Sequence, residues 1–394
     1  MFKKFRLKKN NIYALLFVCI LSFPFYQMVF KSFKELNLDG YVDPIPEKPT
    51  LVLKNIGNKS FQSWFEKFFN NHVGFRAVII RSINSVHFKL FHEMHNPFLN
   101  IFYDSQRGLV SNLAVDAWNY EARHSNEMRV KYLQEAKRIA RVSAILAHEG
   151  KFFVFVEASS KAYIYPKSFQ PKFLDVYDEA SYKSFIQALK KAGVNYIDTR
   201  ALLKQDEIKH HREMFSFGGL HWNFYSGFLV AKAIFEKGRN SGFNLPDLFC
   251  KQFDILTQLY HVDNDGLVLL NLLNPLNLLH ASIFPNQVYM KAKNFKPLKI
   301  VYIGDSFSEQ IKYSLKTSKV YSQIIMSDYF KTRHIETEDP HLIQEFNSKQ
   351  TDDLQKLLMS DIKNSDMVIL EAVDYNLVTN LSYGFTEYFL QNYK

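Results

Sequence analysis

The sequence predicts an α/β fold, a mostly parallel sheet flanked by helices, behind an N-terminal apolar segment and a helical extension. Three observations predict it. The stretches Phe152–Val156, Lys299–Ile303 and Asp366–Glu371 are of strand length and largely apolar, as strands buried on both faces are. Segments with helical spacing alternate with them, several closed by glycine. Such alternation favours parallel pairing, because each helix carries the chain back to the starting edge of the sheet.

The elements follow in order along 394 residues. Residues 1–11 are basic: Lys3, Lys4, Arg6, Lys8 and Lys9 supply five positive charges before any acidic residue. Ile12 to Phe30 is a charge-free run of 19 residues, close to the ~20 that span a bilayer as a helix. Positive charge ahead of it keeps the N-terminus in the cytoplasm and sends the remainder outside. A cleaved signal peptide is the rival reading, but Lys31-Ser32-Phe33-Lys34 offers no small-x-small cleavage pattern, which favours a retained anchor. Residues 31–59 read as an extended linker, with prolines at 44, 46 and 49. The helical extension occupies 60–120, opening with Phe61, Trp64, Phe65, Phe68 and Phe69 at three- and four-residue spacing.

The α/β domain takes 121–394. A helix is expected from Ser125 to His148, a strand at 152–156, a helix at 181–192 closed by Gly193 and a short strand at 195–198. Trp222 to Lys237 reads as a helix closed by Gly238, and another lies near 352–361, between the strands at 299–303 and 366–371.

Composition excludes some functions. The net charge of +10 invites a nucleic-acid reading, yet half of it sits in the N-terminal cluster, and no nucleic-acid-binding motif accompanies the rest. The two cysteines, Cys19 in the apolar segment and Cys250 in the body, are not expected to pair, and near-absence of thiols suits an oxidising compartment. His92-Glu93-Met94-His95 has the wrong spacing for a zinc protease, and His210-His211 with Glu213 reads as a solvated turn. Asp263-Asn264-Asp265-Gly266 resembles a calcium loop without its later glutamate. There is no phosphate loop or dinucleotide fingerprint, so neither metal nor cofactor is expected.

The sharpest chemical signal is Gly304-Asp305-Ser306-Phe307-Ser308, directly after a buried strand. A serine there stands at the carboxyl edge of a parallel sheet, where open α/β folds bind ligands. A serine hydroxyl needs a base to become a nucleophile. Gly218-Gly219-Leu220-His221-Trp222-Asn223 delivers one of 13 histidines on a glycine turn, so Ser306 and His221 are the expected catalytic pair. Trp222 reads equally as a sugar-stacking ring or a core residue.

Together these segments resemble the AlgJ/AlgX family of SGNH-hydrolase-like acyltransferases, the alginate O-acetyltransferases. His221-Trp222-Asn223 is similar to that family's Asp-x-His-Trp motif, and Gly304 to Ser308 to its nucleophile block, in the family's order. Lys34–Gly40, Phe65–Arg76, Ser160–Pro166 and Asp263–Leu267 are weaker similarities. The resemblance implies an acetyl-Ser306 intermediate and transfer to a hydroxyl of an envelope polysaccharide, either exopolysaccharide or peptidoglycan. It also implies a membrane-bound O-acyltransferase partner supplying acetyl groups, and a periplasmic domain held at the inner membrane. Asp305, Trp222, Asn223 and Arg76 become candidate supporting or substrate-contacting residues. One position departs: the family's triad aspartate falls on Gly219. Without a carboxylate the imidazole loses the group that fixes its tautomer. Three readings stay open: a Ser306–His221 dyad, a substitute acid from Asp374 or Glu371, or a degenerate glycan-binding scaffold. An O-acetylesterase would share the same nucleophile.

Overall fold

A computed structural model describes residues 9–40, 45–50, 52–92, 101–169, 173–256, 263–274, 281–337, 344–346 and 351–393. Lys3, Lys4, Arg6, Lys8, Asp43, Pro44, Glu93, Met94 and His95 lie outside them. The chain divides into two compact units, one of residues 1–99 with 267–277, the other of 100–266 with 278–394.

The second unit is built on a seven-stranded sheet. Its strands are β1 (Phe152–Ala158), β2 (Tyr196–Asp198), β3 (Leu298–Gly304), β4 (Tyr321–Asp328), β5 (Arg333–Thr337), β6 (Gln344–Phe346) and β7 (Met367–Val373), in the order β6-β5-β4-β3-β7-β1-β2. The five strands from β4 to β2 run parallel, while β5 and β6 pair antiparallel at one edge. The sheet is therefore mixed, with the expected parallel core.

The continuous apolar runs have the predicted cause, since both faces are covered. Phe153, Phe155, Val301, Ile303, Val368 and Leu370 join one core with the helices Ser125–His148 and Ala180–Lys191. Their alternates Val154, Val156, Ile300, Tyr302 and Ile369 join the other, under the helices Phe224–Asn240 and Ser308–Thr317. Each such side chain removed from water contributes about 1.5–3 kcal/mol. The helix expected from Trp222 starts at Phe224 because Asn223 caps it, its Oδ1 accepting the Ser226 N–H at 2.9 Å.

Strand order positions the site. From β1 the chain moves outward to β2, from β3 it moves outward the other way to β4, and β7 fills the gap between β1 and β3. The carboxyl ends of β1, β7 and β3 thus border a topological switch point.

The first unit holds the helix Lys9–Phe30, whose residues 12–30 are apolar and numerous enough to cross a membrane, by length and composition. The helical stretch from 60 to 91 is two helices, Ser60–His72 and Arg76–Phe91, broken at Val73–Phe75. Residues near 271 belong here too: the Asn271 amide pairs with both backbone groups of Asp39, and Arg81 donates to the Leu272 carbonyl.

Candidate active site

Ser306 stands two residues beyond β3, in the turn before the helix Ser308–Thr317. Asp305 builds this turn and is fully buried. Its Oδ1 accepts the Phe307 N–H at 2.9 Å; its Oδ2 accepts from Val373 N, Asn376 Nδ2 and the Tyr383 hydroxyl. A carboxylate with four donors needs no further partner, so Asp305 acts here as a brace.

His221 reaches the serine from the segment ahead of the helix Phe224–Asn240. Its Nε2 lies 2.6 Å from Ser306 Oγ. The neighbouring residues set that distance: the buried Trp222 indole N–H donates to the Phe307 carbonyl at 3.0 Å, and the edge of His221 meets the Phe307 ring at 4.7 Å. Trp222 is fully buried, so it is a core residue and not a sugar platform. Asn223 is likewise structural, a cap whose Nδ2 donates to the Glu213 carbonyl.

The third member is a carboxylate that the sequence did not single out for this role. Asp265 Oδ2 lies 2.6 Å from His221 Nδ1, and its Oδ1 accepts the Leu220 N–H at 2.8 Å. An ionised carboxylate only accepts, so Nδ1 carries the proton and Nε2 presents its lone pair to the Ser306 hydroxyl. Burial alone would pull the imidazole down; the hydrogen bond and charge of Asp265 outweigh it and hold the ring above its ordinary pKa. Burial likewise works to raise Asp265, and His221 outweighs it, keeping the carboxyl below its usual value. Both side chains retain 18% exposure, so the pair borders open space.

The substitute acids expected from the sequence are engaged elsewhere. Glu371 Oε2 accepts the Asp305 N–H at 2.9 Å, and burial, with the Asp305 charge beside it, raises it well above the ordinary carboxylate range. Asp374 accepts Ser160 N at 2.6 Å and Ser160 Oγ at 3.0 Å, and burial pushes it to about 8. Arg76 belongs to the other unit, where it opens the helix Arg76–Phe91.

Gly219 explains the relocation of the acid. A Cβ there would lie 2.5 Å from Ser216 Oγ and 2.7 Å from the Asp263 carbonyl oxygen. The space a side chain would need at 219 is filled by the Ser216 hydroxyl and the Asp263 backbone, two residues ahead of the carboxylate of Asp265. The available signal was Asp265 followed by Gly266, whose own Cβ position lies 2.9 Å from the Gly218 carbonyl. Two glycine pairs had to be read as one contact.

Two further residues shape the site. Lys161, only 2% exposed, donates to four carbonyls, those of Arg107, Leu109, Ser216 and Gly219, at 2.7–3.1 Å. It pins the turn that delivers His221, although burial draws it down to about 7. Tyr329 follows β4, pairs its N–H with the Gly304 carbonyl at 2.7 Å and is 40% exposed. Burial raises its phenol above the ordinary value, and the proximity of Ser306 opposes that rise. Tyr329 and Phe330 both adopt left-handed backbone, φ 53° and 58°, a costly conformation for such residues that tends to cluster at functional sites.

Residues 114–318 match the family model described as the SGNH hydrolase-like domain of acetyltransferase AlgX, just over half of the chain. Among solved structures, the chain is similar to the O-acetyltransferase domain of Pseudomonas putida AlgJ at 16% identity, covering 71% of this chain and 92% of that one, with TM-score 0.43. Bacillus cereus PatB1 follows at 14% identity, coverages of 64% and 92% and TM-score 0.41, and Pseudomonas aeruginosa AlgX at 12%, 66% and 62%, with TM-score 0.37. No curated protein matches. The second unit is thus an SGNH hydrolase-like domain of the acetyltransferase type. The chain belongs to the AlgX family of SGNH hydrolase-like acetyltransferases.

Proposed function

We propose that this chain is a periplasmic O-acetyltransferase that moves acetyl groups onto hydroxyls of an envelope polysaccharide through an acetyl-Ser306 intermediate. The observation that carries the reading is the in-line pair of 2.6 Å contacts, Asp265 to His221 and His221 to Ser306, at the carboxyl edge of the sheet.

In the first half-reaction Ser306 Oγ attacks the acetyl carbonyl carbon while its proton passes to His221 Nε2. Asp265 stabilises the imidazolium and holds the ring in register. Negative charge gathers on the carbonyl oxygen, which the Ser306 backbone N–H and the Tyr329 hydroxyl stabilise by donating hydrogen bonds. Collapse expels the donor's oxygen or sulfur, which leaves with the histidine proton. In the second half, a sugar hydroxyl gives its proton to His221 as its oxygen attacks the acetyl carbon, and Ser306 departs with that proton restored.

Membership of the AlgX family favours a polysaccharide acceptor. The apolar segment 12–30, with the basic residues ahead of it, supports reading this as a single-pass inner-membrane protein with a cytoplasmic N-terminus and the domain outside. Acetyl donors are made in the cytoplasm, so a membrane-bound O-acyltransferase partner must pass the group across.

The test is acetyl release from p-nitrophenyl acetate by the purified full chain in detergent. Ser306→Ala and His221→Ala should each reduce turnover to the uncatalysed background. Turnover unchanged in both would leave a glycan-binding scaffold. Adding acceptor oligosaccharide should convert released acetate into acetylated sugar, whereas an esterase would go on releasing acetate.

A further inference from the structure

The first unit carries an apolar surface that acyl transfer does not use. On the helix Arg76–Phe91, Ile79, Ile83, Val86 and Leu90 recur at spacings of four, three and four, and are 43–65% exposed. That spacing puts them on one stripe. The preceding helix Ser60–His72 has no buried residue, and its Phe65 is 51% exposed. A continuous apolar stripe on a soluble face is costly and marks a surface with an occupant.

The packing of the helix Lys9–Phe30 identifies that occupant. The Val73–Phe75 turn between the two helices is seated on it: Gly74 N donates to the Pro24 carbonyl at 3.1 Å, and any Cβ on Gly74 would collide with that oxygen and with Gln27 Cβ. Phe75 stacks on Phe23 with ring centres 5.0 Å apart, and Phe69 meets Phe25 at 6.4 Å. Gln27, an amide within the apolar run, is fully buried by this packing; it exchanges hydrogen bonds with both backbone groups of Phe33 and donates to Glu35. Glu35 in turn accepts the Phe75 N–H.

These contacts fix a depth. Pro24 lies six residues before the end of the apolar run at Phe30, about 9 Å along the helix axis. If residues 12–30 cross the membrane, the Val73–Phe75 turn lies below the outer end of the span, within the apolar-to-headgroup boundary. The helices that leave this turn start in lipid, where an apolar stripe is favourable and amphipathic helices settle.

We propose that Ser60–His72 and Arg76–Phe91 form a foot seated in the outer leaflet of the bilayer, with Ile79, Ile83, Val86 and Leu90 against acyl chains. The N-terminal helix is then a permanent structural part of this unit, since cleavage after Phe30 would remove the buried Gln27 and the ring contacts of Phe23 with Phe75 and of Phe25 with Phe69. The proposal rests on reading residues 12–30 as a span.

The experiment uses the full chain in phosphatidylcholine–phosphatidylglycerol vesicles. Cys19 and Cys250 are replaced by serine, and single cysteines at 79, 83, 86 and 90 carry a nitroxide, with labels at 66 and 89 as water-facing controls. Collisions with oxygen should exceed those with a water-soluble nickel complex several-fold at the four stripe positions, and the order should reverse at the controls. Nickel access at the stripe equal to the controls would overturn the foot, as would exclusion of both reagents, which would mean that a second copy covers the face. Release of the unlabelled chain from vesicles by alkaline carbonate would instead overturn the span itself.

Discussion

Two polar clusters lie at the carboxyl edge of the same sheet, and only one is built for chemistry. Beside β3, Asp265, His221 and Ser306 stand in a line with one shared direction of proton movement, and the imidazole and carboxylate are 18% exposed. Beside β1, Glu157, Arg200, Asp374 and Ser160 form a closed knot. Arg200 is 4% exposed, pairs with Glu157 and Glu179, and lies 3.4 Å from the centre of the Tyr182 ring and 4.2 Å from that of Tyr163. Perturbed titration does not separate the clusters: burial pushes Glu157 to about 6 and Asp374 to about 8 in the knot. What separates them is an open end and a base with an unshared lone pair.

The comparison can be broken at several points. The largest effect is expected from Asp265→Asn, which keeps shape but donates toward Nδ1 and favours the wrong tautomer. It should lower kcat on p-nitrophenyl acetate by on the order of 10³–10⁴. The surviving activity carries a second signature. His221 is held above its ordinary pKa mainly through Asp265, and only the neutral ring acts as base, so wild-type activity rises as pH climbs through that raised value. In Asp265→Asn the acid limb should move to lower pH; an unmoved limb would deny the pairing.

Arg200→Met tests the closed knot. Removing one partner strands Glu157 and should cost about 3–5 kcal/mol in urea unfolding, with kcat per folded molecule unchanged. Loss of activity without loss of stability would make the knot part of the reaction. Tyr329→Phe should lower kcat about 10²-fold with KM and Tm unaltered, the pattern of a donor used only in the transition state. The smallest effect belongs to Asp374→Asn, which should leave activity alone. Burial pushes Asp374 up to about 8 in the folded protein against an ordinary 3.8, so its contribution to stability is full below about pH 4 and is lost as pH rises toward 8. The variant should therefore be relatively more stable than wild type at pH 8.5 than at pH 5, by thermal melts.

Much of this was legible in the amino-acid order. Strands buried on both faces announce themselves as unbroken apolar runs, which placed β1, β3 and β7. Ser306 and His221 followed from where a glycine turn meets the end of a strand or the start of a helix. β5 and β6 were not readable, because Arg333–Thr337 and Gln344–Phe346 are short strands on the antiparallel side of the sheet with no run of apolar residues. Asp265 was hidden for a different reason. It lies 44 residues beyond its histidine, and its segment, dense in Asp and Asn, looks like any polar turn until the close approach of the Asp263 backbone to Gly219 is seen. Local patterns report burial and backbone shape; they do not report which distant loop fills a gap.

The indole–carbonyl bond between Trp222 and Phe307 joins the residues immediately after the base and the nucleophile, and neither bonding group touches the reaction. Alignment of the reactive atoms is thereby delegated to a dry rivet behind them. On the proposed mechanism, a change of side chains along the rim in front would then leave the alignment for proton transfer intact.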